Sequence, residues 1–299
     1  MVDTVILGTI GIDDIKTPFG EIKNTLGGSA TYASVASSFF AKTGIISIVG
    51  EDFPEEHLNF FRSKGIDFSG LETRGKTFRW QGFYEYDMNE AKTLKTELNS
   101  LLLFDPKIPK EYKDAEFVLL GNADPGLQIK TLEQFTSPKF VMLDTMNFWI
   151  ESRKEKLLDA MSRVNAVLIN DSEARMLFQT PNLVKSANSI LSLGAEFAII
   201  KKGEHGALMF TKTHHFSAPA YPLENIIDPT GAGDSFAGSM VGYLSKTQDT
   251  SERNIRRAMV YGSSIASINA EGLGLEKLKT LNLIDVVKRY KYFKKIRMF

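Results

Sequence analysis

The chain has 299 residues, with 36 Lys plus Arg balancing 36 Asp plus Glu, and no cysteine. Balanced charge leaves no net field to draw it to nucleic acid or to an anionic membrane. The missing cysteines exclude disulfides, thiolate metal sites and a cysteine nucleophile, and they fit a cytoplasmic protein. No apolar run is long enough to span a bilayer, and no basic segment precedes an apolar stretch at the N-terminus, so no signal peptide is expected.

In chain order, Val2–Thr9 reads as a buried strand and Ser29–Lys42 as a helix carrying Tyr32, Val35, Ala36, Phe39 and Phe40 on one side. Ile45–Val49 reads as a strand and Glu55–Ser63 as a helix. Phe117–Leu120, Phe140–Leu143, Val167–Ile169 and Phe197–Ile200 read as further buried strands, most of them separated by helical stretches. Near-continuous apolar strands alternating with helices predict an α/β fold, a mainly parallel sheet flanked by helices. The last third reads as three helices, Ser235–Ser245, Glu252–Asn269 and Glu276–Lys291, and the basic stretch Lys288–Arg297 as the solvated face and end of the last one. Two segments break the pattern. Asp14–Leu26 is polar and turn-like, and Thr77–Leu98 places Phe78, Trp80, Phe83, Tyr84 and Tyr86 among polar residues. Both are expected to form a separate small sheet, a lid over one edge of a single domain spanning 1–299, built from about 12–26 and 76–100. An ordinary antiparallel edge of the main sheet is the alternative.

The most specific motif is Asp228-Pro229-Thr230-Gly231-Ala232-Gly233-Asp234, followed by the apolar run Ser235–Met240. A turn of small residues opening a helix lets backbone amides converge on an anion, helped by the helix dipole. A carboxylate there needs a purpose. For Asp234 the reading is a general base that takes a proton from a nucleophile attacking a bound phosphate.

Ligands of open α/β sheets bind beyond the carboxyl ends of the strands. Polar or small residues follow five of the predicted strands: Gly11 and Asp13; Gly121, Asn122 and Asp124; Asp144 and Asn147; Asn170 and Glu173; Lys201 and Gly203. Asn170-Asp171-Ser172-Glu173 reads as a helix start capped by Asp171 or Ser172, or as a place where Asn170 and Glu173 hold Mg²⁺, directly or through water. Gly27-Gly28-Ser29 is either a turn capped by Ser29 or a close approach of backbone to a polar substrate. Gly70–Thr77 matches the spacing of a phosphate loop, but Gly65–Ser69 before it reads as a weak strand at best and Thr77–Tyr86 after it alternates like a strand where such a loop requires a helix. No metal-ligand spacing of the histidines and no hydrolase elbow appears.

Over essentially its full length the chain resembles the ribokinase/PfkB family of sugar and nucleoside kinases. Gly27-Gly28 is similar to the family's N-terminal signature, Asp228–Asp234 to its C-terminal signature and Asn170-x-x-Glu173 to its magnesium–phosphate motif. The resemblance implies a ribokinase-like fold, Asp234 as catalytic base, and an anion hole from the backbone of Gly231, Ala232, Gly233 and Asp234. It implies substrate contacts from Asp13, Gly27 and Gly28 under a β-sheet lid. Lys201 and Gly203 would line the nucleotide site, and the stretch 266–272, with Asn269 and Gly272, would flank the adenine. Asp228 would help hold a monovalent cation such as K⁺. The implied reaction joins ATP and an alcohol, with Mg²⁺, to give ADP and a phosphate monoester.

The chain also departs from the pattern. Gly11 and Tyr32 stand where ribokinases carry substrate-binding asparagines, and Pro229 stands where threonine is common. A sugar or sugar acid is the family's default acceptor, with Tyr32 and Asn147 among the expected contacts. The alternative is a nucleoside stacked on Tyr32 and the lid aromatics; a non-catalytic sensor is a remote third. A homodimer through the lid is the expected assembly.

Overall fold

The computed structural model describes residues 2–296, so Met1 and the end of the basic C-terminal stretch, with Arg297, lie outside the described residues. Among the described residues, thirteen strands form two sheets. β1 (Thr4–Leu7), β4 (Thr43–Val49), β5 (Asp67–Thr73), β8 (Phe117–Leu120), β9 (Phe140–Leu143), β10 (Ala166–Asn170), β11 (Phe197–Lys201), β12 (Ala207–Phe210) and β13 (His215–Ala218) make the larger one, in the order β13-β12-β11-β10-β9-β8-β1-β4-β5. The strands from β11 through to β5 pair in parallel, and β12 and β13 add antiparallel at one edge. The chain starts at β1, runs to β5 on one side and then returns to build β8 to β11 on the other. The switch point therefore lies between β1 and β8, where doubly wound sheets open a ligand crevice.

Strand alternation divides the core into two layers. Ile6, Phe117, Leu119, Phe140, Met142, Leu168 and Ile199 face one cluster, and Val5, Leu7, Val118, Leu120, Val141, Leu143, Val167 and Ile200 face the other. The first cluster packs beneath α1 (Ser29–Ser38), α2 (Glu55–Ser63), α8 (Ala232–Thr247), α9 (Glu252–Asn269), α10 (Glu276–Thr280) and α11 (Leu283–Lys295). The second packs beneath α3 (Pro125–Leu132), α4 (Asn147–Ser152), α5 (Lys154–Met161), α6 (Asp171–Phe178) and α7 (Leu183–Leu193). Both faces of the sheet are covered, which is why its strands read as unbroken apolar runs.

The smaller sheet has the order β3-β2-β6-β7, from β2 (Gly11–Thr17), β3 (Gly20–Gly27), β6 (Phe78–Tyr84) and β7 (Ala91–Glu97). Both irregular sequence segments thus form strands of one separate sheet. Gly70–Thr77 begins inside β5 and runs directly into β6, so strand follows where a phosphate loop needs a helix.

Three helical expectations change. The predicted Glu276–Lys291 helix is two helices, because Asn282 caps a new start at Leu283 by accepting from the Asp285 amide at 3.1 Å. The helix expected at Ser235 begins three residues earlier, at Ala232, which places Asp234 in its first turn. The helix after β10 is capped by Asn170 rather than by Asp171 or Ser172. The two antiparallel edge strands β12 and β13 were not anticipated.

Candidate active site

Two helices set the geometry at the switch point. α1 carries almost only small side chains and is buried along its length. α8 packs on it closely, and a Cβ on Gly238 would come within 2.0 Å of the Ala33 carbonyl oxygen. This contact holds the start of α8 over the start of α1. Gly231 precedes α8 in the left-handed region at φ 73°, and its missing side chain is replaced by the Tyr32 ring, whose atoms lie 2.2–2.4 Å from where a Cβ would stand. Any side chain at 231 would therefore be strained twice, by its backbone angle and by overlap.

The loop before this turn is anchored to the rest of the site. Buried Asp228 accepts from the Thr230 amide at 2.9 Å and from the Gly274 amide at 2.7 Å. Asn269, fully buried, donates to the Thr230 carbonyl at 2.7 Å. Thr230 Oγ1 donates to Tyr84 Oη at 3.1 Å, which ties β6 of the smaller sheet to the turn. Thr17 Oγ1 on β2 donates to the Ile227 carbonyl at 2.9 Å, a second link between the sheet and the loop.

On the same side lies a group of carboxyls. Asp13 is 4% exposed, and its Oδ1 is buried without a hydrogen-bond partner, as is Tyr32 Oη. Gly27 makes room for it, since a Cβ there would sit 1.9 Å from Asp13 Oδ2. Burial first, then the charge of Asp228, pushes the Asp13 carboxyl up to about 7 against the pull of the Gly28 amide. Burial and the charge of Asp144 push Asp234 up to about 6, with Lys201 opposing. Burial also raises Asp228 and, with Asp13 and Asp228, holds the Tyr32 hydroxyl well above its usual range.

The other side holds a cation. Lys201 Nζ donates to both oxygens of Asp144, at 2.8 and 2.6 Å. Burial alone would depress this lysine, but Asp144 and Glu173 outweigh it and raise its pKa. Glu173 is buried, and burial lifts its carboxyl to about 7 despite Lys201. Its Oε2 accepts from the Asn170 amide at 2.9 Å while Asn170 Oδ1 accepts from the Glu173 amide at 2.7 Å, a reciprocal capping box. Both readings of this segment thus meet in the same residues. The helix start fixes their orientation, and one oxygen of Glu173 remains outside the box.

The structure brings Asp13, Gly27, Gly28, Tyr32, Asp228, Gly231, Ala232, Gly233, Asp234 and Asn269 together, with Lys201 and Glu173 beside them. Gly272 lies in the buried turn between α9 and α10, and exposed Gly203 follows β11 at φ 51°, near the β6–β7 turn at Asn89. Asn147 is exposed at the start of α4, and its Oδ1 accepts from the Phe148 amide at 2.9 Å. Sequence reasoning passed over Tyr84 and Thr230 as a pair, and it gave Asp144 no role. The place of Asp144 directly after an apolar strand marked it as a residue at the ligand-binding edge of the sheet, and nothing local pointed to Lys201 as its partner.

Residues 10–279 match the profile of the pfkB family carbohydrate kinases. A cytidine kinase from Thermococcus kodakarensis is 31% identical over 259 residues, covering 84% of this chain and 92% of that protein. A ribokinase from Staphylococcus aureus is 29% identical, covering 90% of this chain and 87% of that protein. Among solved structures, the Burkholderia thailandensis nucleoside kinase in complex with inosine superposes with a TM-score of 0.79 at 19% identity, covering 97% of each chain. The fold is therefore ribokinase-like, and the chain belongs to the pfkB family of sugar and nucleoside kinases, phosphotransferases that act on a hydroxyl group.

Proposed function

We propose that the chain transfers the γ-phosphoryl group of ATP to a hydroxyl of a nucleoside, with Asp234 as general base. The observation that carries this is the start of α8. A left-handed turn at Gly231 aims the amides of the first helical turn at one point, and a raised carboxyl stands beside them. A base with a pKa near the working pH is well matched to proton transfer. The acceptor proton passes to Asp234 as the acceptor oxygen attacks in line, and the amides of 231–234 stabilise the oxygens where charge develops. Asp13, with one oxygen unpartnered, accepts from a second hydroxyl of the acceptor.

The smaller sheet supports the nucleoside over the sugar or sugar acid that is the family default. Trp80 pairs in register with Asp13. Its ring lies against Gly82, where a Cβ would come within 2.2 Å of it, and its Nε1 donates to Thr93 Oγ1 at 3.0 Å. A tethered indole on the strand next to Asp13 is a preformed stacking platform for a base. Phe78 covers Gly11, where a Cβ would lie 2.4 Å from its ring, so an apolar surface stands where an asparagine would bind a sugar hydroxyl. The similarity to a cytidine kinase supports the same reading. The sheet acts as a lid, and its links through Tyr84 and Thr17 limit water at the site.

Asn170 and Glu173 fit a Mg²⁺ carried in on the nucleotide phosphates, since such an ion needs only one or two protein oxygens and keeps its waters. Mg²⁺ would neutralise phosphate charge there. Asp228 first clamps the loop. A K⁺ beside it would share oxygens that already accept two amides. Exposed Leu94 and Tyr86 support a dimer joined through the small sheet, which light scattering would test.

The deciding experiment is ADP release from Mg-ATP against cytidine, adenosine, inosine, ribose, fructose and keto-sugar acids, with and without K⁺. Turnover with a nucleoside is the expected result. Turnover confined to free sugars or sugar acids would overturn the acceptor assignment, and binding of nucleosides without turnover would restore the sensor reading.

A further inference from the structure

The ion pair between Asp144 and Lys201 has no evident structural purpose. β9, β10 and β11 are adjacent, so the pair reaches across the carboxyl end of β10. Its side chains are 5% and 17% exposed. At that depth desolvation offsets much of the attraction, and an apolar pair of similar size would stabilise the fold as well. The position is more telling. A Cβ on Gly233 would stand 3.2 Å from Lys201 Nζ, so the ammonium lies against the first turn of α8. That end of a helix is already positive and disfavours a cation. Holding a lysine there, fixed among the carboxyls of Asp144, Glu173 and Asp234, sets one cation beside the amides of the turn, where it can meet an anion. Both oxygens of Asp144 accept from the ammonium, and among the described residues Lys201 Nζ makes no other hydrogen bond, so donor capacity is left for a ligand.

We propose that Lys201 contacts the phosphoryl group in transfer, and that Asp144 is the positioning residue that aims the ammonium at it. The proposal rests on the phosphotransfer reading above. Lys201 forms and breaks no covalent bond. The acceptor oxygen bonds to the γ-phosphorus, the bond from that phosphorus to the bridging oxygen breaks, the acceptor proton goes to Asp234, and ADP leaves. Lys201 keeps its proton throughout, as its raised pKa allows.

The test compares Lys201→Met, Asp144→Asn, the double variant and Asp144→Glu. It reads kcat, KM for ATP, and calorimetric affinity for ADP and for a non-hydrolysable ATP analogue. Lys201→Met should lower kcat about 10²–10³-fold, as loss of one donor to developing charge does elsewhere. It should also weaken the analogue while leaving ADP affinity essentially unchanged. Asp144→Asn should lower kcat with little change in KM, and Asp144→Glu should recover much of the loss. In the Lys201→Met background the Asp144 substitution should add almost nothing, because no ammonium is left to aim. Losses that multiply in the double variant overturn the positioning role. Equal weakening of ADP and analogue overturns the phosphoryl contact. Should Asp144→Asn lose its cooperative melt, the double variant, in which neither partner of the ion pair is left charged, and Asp144→Glu carry the same comparison. Silence toward every acceptor would sink the phosphotransfer reading, while the difference between analogue and ADP binding would still report on Lys201.

Discussion

The two sides of the cleft handle charge in opposite ways. On one side burial raises the pKa values of Asp13, Asp228 and Asp234, the charges of Asp228 and Asp234 raise Asp13 further, and the hydroxyls of Tyr32 and Tyr84 complete the group. On the other, Lys201 is paired with Asp144 and stands near Glu173. The first side suits a neutral acceptor whose hydroxyls donate, because unpartnered carboxylates gain most from donors. The second suits an anion. The turn from Gly231 to Asp234 stands where the two meet, so it is the place for transfer from one to the other.

Removing the base should break this contrast most severely. Asp234→Asn is expected to lower kcat about 10²–10⁴-fold, the span general-base catalysis provides, while calorimetric ADP affinity holds. Near-normal kcat in that variant would show that Asp234 is not the base.

Gly231→Ala tests the turn itself. Overlap with the Tyr32 ring should cost about 1–3 kcal/mol of stability, as overpacking does, in addition to the strain of φ 73°. Thermal melting reads the loss. In the Tyr32→Ala background the same glycine substitution should cost less, and an equal cost in both backgrounds would mean that the ring contact is not the cause.

Trp80→Ala sharpens the acceptor side alone. Loss of base stacking, worth about 1–3 kcal/mol, should raise the nucleoside KM and leave the KM for ATP unchanged. Equal changes in both constants would place the indole outside the acceptor pocket.

The smallest effect concerns pH. With Asp234 at about 6, kcat should rise with pH through that value rather than near the ordinary carboxylate range. Stability runs the other way. A carboxyl whose folded pKa is raised binds its proton more tightly when folded, so its contribution is present below about 4 and lost as pH rises through about 7 for Asp13. Asp13→Asn should therefore raise the melting temperature more at pH 8 than at pH 5, while weakening the acceptor. A melting shift independent of pH would contradict the buried-charge assignment.

The alternation of apolar strands with helices made the layered sheet legible, because strands buried on both faces must be apolar throughout. The Asp228–Asp234 motif, Asn170 with Glu173, and Gly27-Gly28 were legible for a similar reason. Turns, caps and close backbone approaches need particular residues at fixed spacing, and that need is local. The break at Asn282 was hidden because the helical pattern continues in phase across it, leaving only a capping asparagine as the sign.

Other features depended on distance in space. Asp144 and Lys201 lie 57 residues apart, and Thr230 and Tyr84 lie 146 apart. Nothing in either neighbourhood names the partner, since each pair is made by strand order and by the placing of one sheet over another. The same holds for the raised carboxyls. An aspartate's sequence gives its charge, but only the folded surroundings remove its water and bring other carboxylates near it. The sequence by itself determined which residues could do chemistry, through local spacing. The tertiary structure decided which of them meet and at what pKa, because burial and long-range pairing exist only in the assembled fold.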